Sequence, residues 1–175
     1  MSLQYVRIGN IAKVKGGKRL PKGYLVQDQR TSHPYIRVTD FGTDGLIIDN
    51  IKYITDAVYH FIQRYTITNE DIYISIAGTI GLVGIVPKSW SGSNLTENAA
   101  KICEISKDFD SRFIMYYLRS AIGQAQIASK TVGTTQPKLA LFRIQEIEIP
   151  HFPLTTQQKI AAILSAYDDL IENNT

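Results

Sequence analysis

A short strand stopped by two prolines, and followed at once by a long amphipathic helix, limits how the C-terminal end of this chain can be built. Ile147 and Ile149 alternate with Glu146 and Glu148, the period of a half-buried strand, and Pro150 and Pro153 end it. Thr155 stands where a side chain can cap the first free amides of a helix, and Gln158, three residues on, completes the capping-box spacing. Beyond it Ile160, Leu164, Tyr167 and Ile171 recur at intervals of four, three and four, with Ile163 and Leu170 alongside, so a coiled-coil-like seam faces one way. Such a stripe either folds back on its own domain or meets a partner helix.

At 175 residues and 44% hydrophobic, the chain has material for one substantial core. It lacks an apolar run of about 18 residues or more, and no charged, apolar, small-residue leader opens it, so a cytoplasmic protein without a membrane partner is expected. Cys103 is the one cysteine, set in a strand-like Lys-Ile-Cys-Glu-Ile run, and reads as a buried thiol. The net charge of +3 is unevenly placed. Residues 1–37 carry Arg7, Lys13, Lys15, Lys18, Arg19, Lys22, Arg30 and Arg37 against Asp28 alone, a surplus of seven, which leaves the remainder four negative. A concentration of this kind is either a solvated face or the footprint of a polyanion, because each neutralised phosphate releases counterions.

Val6 to Val14 suggests a helical turn around Ile8 and Ile11 leading into a strand. The run Lys15-Gly-Gly-Lys-Arg-Leu-Pro-Lys-Gly23 breaks all periodicity, as a phosphate-contacting loop or as a surface hairpin. A strand is expected over 34–41, with Ile36 and Val38 on one face and Tyr35 and Arg37 on the other, then a strand over 46–54 and a short helix capped by Thr55 that contains Ala57, Val58, Phe61 and Ile62. Residues 71–87 read as a hairpin turning at Ala77-Gly78-Thr79. Its glycines 78, 81 and 84 do not make a dinucleotide fingerprint, and a glycine inside a strand marks a bulge or a close backbone approach. A polar loop over 90–94 leads to a strand over 99–105, and Phe113, Tyr116, Tyr117, Ile122 and Ile127 have the spacing of a helix whose aromatics face the core. A second Gly/Pro loop, residues 130–138, precedes the closing strand. Helices and strands interleave without regular alternation, so the class is α+β: a mixed, partly antiparallel sheet with flanking helices, followed by a C-terminal coiled-coil-type helix.

No catalytic constellation is legible. There is no G-x-G cofactor turn, no Asn-Pro-Pro run, no Asp-x-Lys or Glu-x-Lys pair of the kind that holds Mg²⁺ in nucleases, and no G-x-S-x-G elbow. His33, His60 and His151 lack ligand spacing, so no metal is expected. A binding module is the reading from these absences. The alternatives are an enzyme whose site is scattered along the sequence, such as one that modifies or cleaves DNA, and a protein-interaction domain without DNA contact.

The C-terminal junction resembles that of specificity subunits of type I restriction-modification enzymes, in which a target-recognition domain passes into a long helix. The resemblance rests on Ile149, Pro150, Pro153, Leu154, Gln157, Ile160, Ile163, Leu164, Asp168, Ile171 and Glu172, with departures at Phe152, Thr156 and Tyr167. It implies a DNA target-recognition domain over 1–154 and the start of a dimerisation helix over 155–175. It further implies a component with no cofactor and no catalytic residue, which directs methyltransferase subunits and, through them, a restriction subunit to double-stranded DNA. Within that reading Lys15, Lys18, Arg19, Lys22, Thr79, Lys130, Thr134, Thr135, Gln136 and Lys138 are the expected DNA contacts. Lysines hold phosphates, and Gln136 can read an adenine edge. Ile160, Leu164, Tyr167 and Ile171 would face an equivalent helix from a second recognition domain or a second copy.

Overall fold

The computed structural model describes residues 3–172. In chain order the elements are β1 (Tyr5–Arg7), α1 (Ile8–Ile11), β2 (Lys13–Gly16), β3 (Pro34–Ile36), β4 (Lys52–Tyr53), α2 (Asp56–Ile62), β5 (Thr66–Ile67), β6 (Ile72–Ser75), β7 (Val83–Gly84), β8 (Ser93–Leu95), β9 (Ala99–Cys103), α3 (Ser111–Arg119), α4 (Ala121–Lys130), α5 (Leu141–Gln145), β10 (Glu148–Pro150) and α6 (Leu154–Glu172). The class is α+β, but its strands form three sheets where one was expected. β1 pairs with β10, an antiparallel sheet runs β2-β9-β6-β7, and a mixed sheet runs β4-β3-β8-β5, in which β3 and β8 are parallel.

The period of two along the strands explains the layering. Ile72 and Ile74 of β6 and Ala100 and Ile102 of β9 face the helical side, where they meet Ile8, Ile114, Leu118, Ile144 and Ala161. Tyr73 and Ala99 point the other way, into a core shared with Ile36, Ile67 and Leu95 of the mixed sheet. That sheet is covered in turn by α2 through Val58 and Ile62. β6 is therefore buried on both faces, and this is why Ile72, Tyr73 and Ile74 follow one another without an exposed polar position between them. Gly84 lies opposite Tyr73, and a Cβ there would stand 2.2 Å from the Tyr73 hydroxyl, the close approach expected of a strand glycine.

Several expected elements are shorter or divided. The strand begun at Pro34 ends at Ile36, because Arg37 turns back and its guanidinium and amide both bind the Asp40 carboxylate. Tyr35 and Ile36 are both buried, since each face of β3 is covered. Only Lys52 and Tyr53 are strand within 46–54. Thr55 does cap α2, accepting from the Val58 amide, but Phe61 is 66% exposed. The helix expected across 113–127 breaks at Ser120, whose amide closes α3 on the Tyr116 carbonyl and whose hydroxyl caps α4 at the Gly123 amide. α6 starts before Thr155: the Pro153 carbonyl accepts from the Thr156 and Gln157 amides, so Thr155 sits inside the first turn.

The expected seam on α6 divides. Ile160 packs on the chain's own helical core beside the fully buried Gln157 and Ala161. Leu164 is 38% and Tyr167 62% exposed, with Ile163 exposed beside them. The side chain of Ile171 lies outside the described residues. Ile160 is thus a core residue, and the open face is carried by Ile163, Leu164 and Tyr167.

Candidate nucleic-acid interface

β2 and β9 run antiparallel, so the turn entering β9 and the loop leaving β2 lie side by side. The Gly17 amide donates to the Ala99 carbonyl at 3.0 Å and the Lys18 amide to the Leu95 carbonyl at 2.8 Å. There is no room for a larger residue at Gly17, where a Cβ would stand 2.0 Å from the Thr96 carbonyl oxygen. The buried Tyr35 fixes the loop from below by donating its hydroxyl to the Lys18 carbonyl at 2.8 Å, and burial pushes that phenol up to about 12. The cationic loop is therefore held against residues 95–99 and is not a free surface hairpin.

The β6–β7 hairpin and the loop after α4 are tied to the same place. The Ile76 amide donates to the Asn98 carbonyl, and the Leu139 amide donates to the Ile76 carbonyl. Val132 and Lys138 exchange both backbone hydrogen bonds, so residues 132–138 form a closed loop that bridges to Ala77. A cleft of about 450 Å³ results, with Arg19, Ala77, Asn98, Val132 and Lys138 on its walls. A second hollow of about 370 Å³ takes in Lys22, Tyr24, Arg19 and Glu97. Arg19 and Glu97 line both, so the two hollows adjoin at this pair, Lys22 lining one and Lys138 the other, and together they make up the groove.

Arg19 and Glu97 form an ion pair on this rim. Arg19 Nε donates to Glu97 Oε1 at 2.7 Å, while Glu97 Oε2 accepts from the Thr96 hydroxyl at 3.0 Å. Burial works to raise the Glu97 pKa, but the Arg19 hydrogen bond, its own backbone amide and Thr96 outweigh it and hold the carboxyl below the usual range. Asn98, next in sequence, is exposed, and its side-chain amide has no partner among the described residues.

Arg19, Lys22 and Lys138 line this groove, and Thr79 is exposed on the hairpin beside it. Thr134, Thr135 and Gln136 are exposed on the closed loop, with side chains that bind nothing else among the described residues. Lys18 turns aside: its ammonium lies 5.6 Å above the Tyr65 ring. Lys130 faces Glu146 at 3.8 Å. Lys15, near the loop end of β2, binds Glu104 together with Lys13, and Glu104 lies at the opposite end of β9 from Glu97. The cationic surplus of residues 1–37 is thus reduced in space by Glu104, Glu97 and Asp40, acids that lie later in the sequence.

The profile of the type I restriction modification DNA specificity domain matches residues 2–175. The chain belongs to that family. The MjaVIII specificity subunit of Methanocaldococcus jannaschii is 27% identical over 179 residues, covering 96% of this chain and 36% of that protein. The MjaIX specificity subunit of the same organism is 34% identical over 100 residues, 55% of this chain and 23% of its own. Among solved structures, a type I restriction-modification S subunit from M. genitalium superposes with a TM-score of 0.70 at 20% identity, covering 99% of this chain and 41% of that one. The HsdS subunit from Thermoanaerobacter tengcongensis gives 0.68 at 19%, covering 98% and 37%. The specificity domain described here therefore spans about two-fifths or less of the length of these relatives, with which it shares its fold.

Sequence reading of this specificity domain missed Glu97 and Asn98. Their one visible signal is the polar triplet Thr96-Glu97-Asn98 set between Leu95 and the apolar pair Ala99-Ala100, a turn whose neighbours are known only once β2 and β9 pair.

Proposed function

We propose that this chain is a DNA target-recognition module of a type I restriction-modification assembly, over residues 1–154, joined to a connector that begins at residue 155 within α6 and carries it to a partner. It supplies no catalytic group and chooses where others act. One observation carries this reading: three loops far apart in sequence are hydrogen-bonded around two adjoining hollows whose rim is lined by cations and by side-chain amides and hydroxyls with no partner among the described residues. Lysines at the groove ends suit phosphates, and the neutral side chains between them suit base edges. The methyltransferase subunits and, through them, the restriction subunit are the proteins served, in the cytoplasm. The exposed Ile163, Leu164 and Tyr167 face of α6 suits a helix from a second recognition domain or a second copy.

A salt titration of duplex binding by the full chain tests the DNA contact. The logarithm of affinity should fall linearly with that of salt, with a slope of about 0.9 per phosphate neutralised. Binding indifferent to salt would overturn the reading, as would cleavage of plasmid by the chain alone with Mg²⁺. For the helix, Leu164→Asp should abolish self-association or methyltransferase binding in sedimentation while leaving the thermal midpoint of the domain in place.

A further inference from the structure

The contact between Arg19 and Glu97 is an odd one to find on a surface meant for a polyanion. A carboxylate beside a phosphate is repulsive, and an arginine already paired with it brings little net charge to the backbone of DNA. Yet the pair is built with care. Glu97 is half-buried and accepts from Thr96 and Arg19, with the Tyr35 hydroxyl 3.5 Å from its second oxygen. The Arg19 backbone is fixed through Lys18, whose amide and carbonyl are both bound, and through the close approach at Gly17. Among the described residues only Nε of Arg19 is taken, and the side chain is 79% exposed. The outer edge of the guanidinium, with its two Nη groups, is left open beside the cleft.

A planar fork held from behind by a carboxylate is suited to one kind of base edge. Two parallel N–H donors match the O6 and N7 acceptors of guanine in the major groove, and no other base offers two acceptors there. Pinning Nε removes the freedom that a long side chain otherwise loses on binding. Asn98 stands alongside, with an amide able to give and accept at a neighbouring base pair.

We infer that Arg19 reads a guanine through the major groove and that Glu97 is the positioning residue that aims it, so the target of this domain contains a G·C pair at the Arg19 position. This rests on the DNA-recognition reading above and names the chemistry of its target. Arg19 then adds to specificity and little to the salt dependence, which belongs to Lys22 and Lys138.

Selection of the full chain against a randomised double-stranded DNA library, sequenced after binding, tests it. Wild type should enrich a motif with at least one guanine. Arg19→Lys keeps the charge but not the fork, and should lower the preference for guanine at one position about tenfold or more, leaving the other positions as they were. Glu97→Gln should weaken the preference at that same position and steepen the salt slope, since the released arginine can then meet a phosphate. If Arg19→Lys leaves every position of a wild-type motif unchanged, the inference is overturned while the recognition reading stands. If the wild type binds in a salt-dependent way but selects no motif, or does not bind, both fall. Arg19 is exposed, so its conservative variant carries the test even if Glu97→Gln does not fold.

Discussion

The two ends of the β2–β9 ladder each join a glutamate to cations, and they do different things with it. At the end where β9 stops, Glu104 takes two lysines, Lys13 and Lys15, and all three charges are answered within the molecule. At the end where β9 begins, Glu97 takes a single Nε from Arg19 and leaves the rest of the guanidinium open. The chain beyond Glu104 continues the first pattern: Gln157 of α6 is fully buried, its Oε1 accepts from the Asp110 amide, and its Nε2 donates to the Asp108 and Phe152 carbonyls. The rim beyond Glu97 continues the second, with Asn98, Gln136 and Lys138 exposed and their side chains unanswered among the described residues. Polar groups matched inside the molecule hold an architecture, whereas polar groups fixed in place but unmatched are available to a ligand.

The largest effect should come from breaking the matched end. Gln157→Ala removes a fully buried side chain and leaves the Asp110 amide and two carbonyls without their partner at partly buried positions. At ~1–3 kcal/mol for a fully buried group left unsatisfied, and less for each of these because water reaches them, a loss of about 3 kcal/mol is expected in a denaturant titration. DNA affinity per folded molecule should not change. A loss under about 1 kcal/mol would show that α6 is seated by Ile160 and Ala161 alone.

At the other end, Gly17→Ala tests whether the rim is rigid. The new methyl overlaps the Thr96 and Leu95 carbonyls, so the loop must move and carry Arg19 off Glu97. A destabilisation of about 2 kcal/mol and a marked loss of duplex affinity are expected together. Gly23→Ala is the control: nothing lies within 4 Å of its Cβ position, and its φ of +89° makes the substitution strained by about 1–2 kcal/mol without displacing the groove. Equal effects on DNA binding from both would mean that the loop is mobile in solution.

How much of this was legible in the sequence differs between the same two ends. The strand, the proline stop and the helix of the C-terminal junction are local patterns, and β10 and α6 lie where periodicity put them. The β6–β7 hairpin and α2 were likewise local. What periodicity could not supply was pairing over long separations. Lys15 and Arg19 are four residues apart in one cationic run, yet one meets Glu104 and the other Glu97, because β2 runs antiparallel to β9. The division of the helix at Ser120 was also hidden, since a serine between Arg119 and Ala121 fits a helix interior as well as a cap. Ile160 and Leu164 share one heptad stripe, and only the position of α3 decides that the first is covered and the second open.

A smaller effect belongs to the far side of the cleft. Lys138→Ala removes a cation whose side chain has no partner among the described residues, so stability should hold. Affinity should fall on all sequences alike, with the salt slope reduced by about 0.9 if the ammonium meets one phosphate. A loss confined to one base position would instead make Lys138 a reader and extend the unmatched group beyond Arg19 and Asn98.

The smallest effect is expected at Glu104, and its sign can be worked out. Hydrogen bonds from Lys13 and then Lys15 bring its pKa from 4.5 down to about 2. A carboxylate depressed in the folded state stabilises that state above its unfolded pKa, so the contribution is fully present above 4.5 and is lost as pH falls through about 2. Glu104 is exposed and water screens the cluster, so Glu104→Gln should lower the thermal midpoint only slightly at neutral pH. Variant and wild type should converge as the acid is titrated away, and added salt should narrow the gap at neutral pH. The variant also releases two lysines at the matched end of the ladder. If the interface is confined to the Glu97 end, the salt slope of duplex binding stays where it was. A steeper slope would show that DNA reaches along β2 to Lys13 and Lys15, and the contrast between the two ends would then be one of strength rather than of kind.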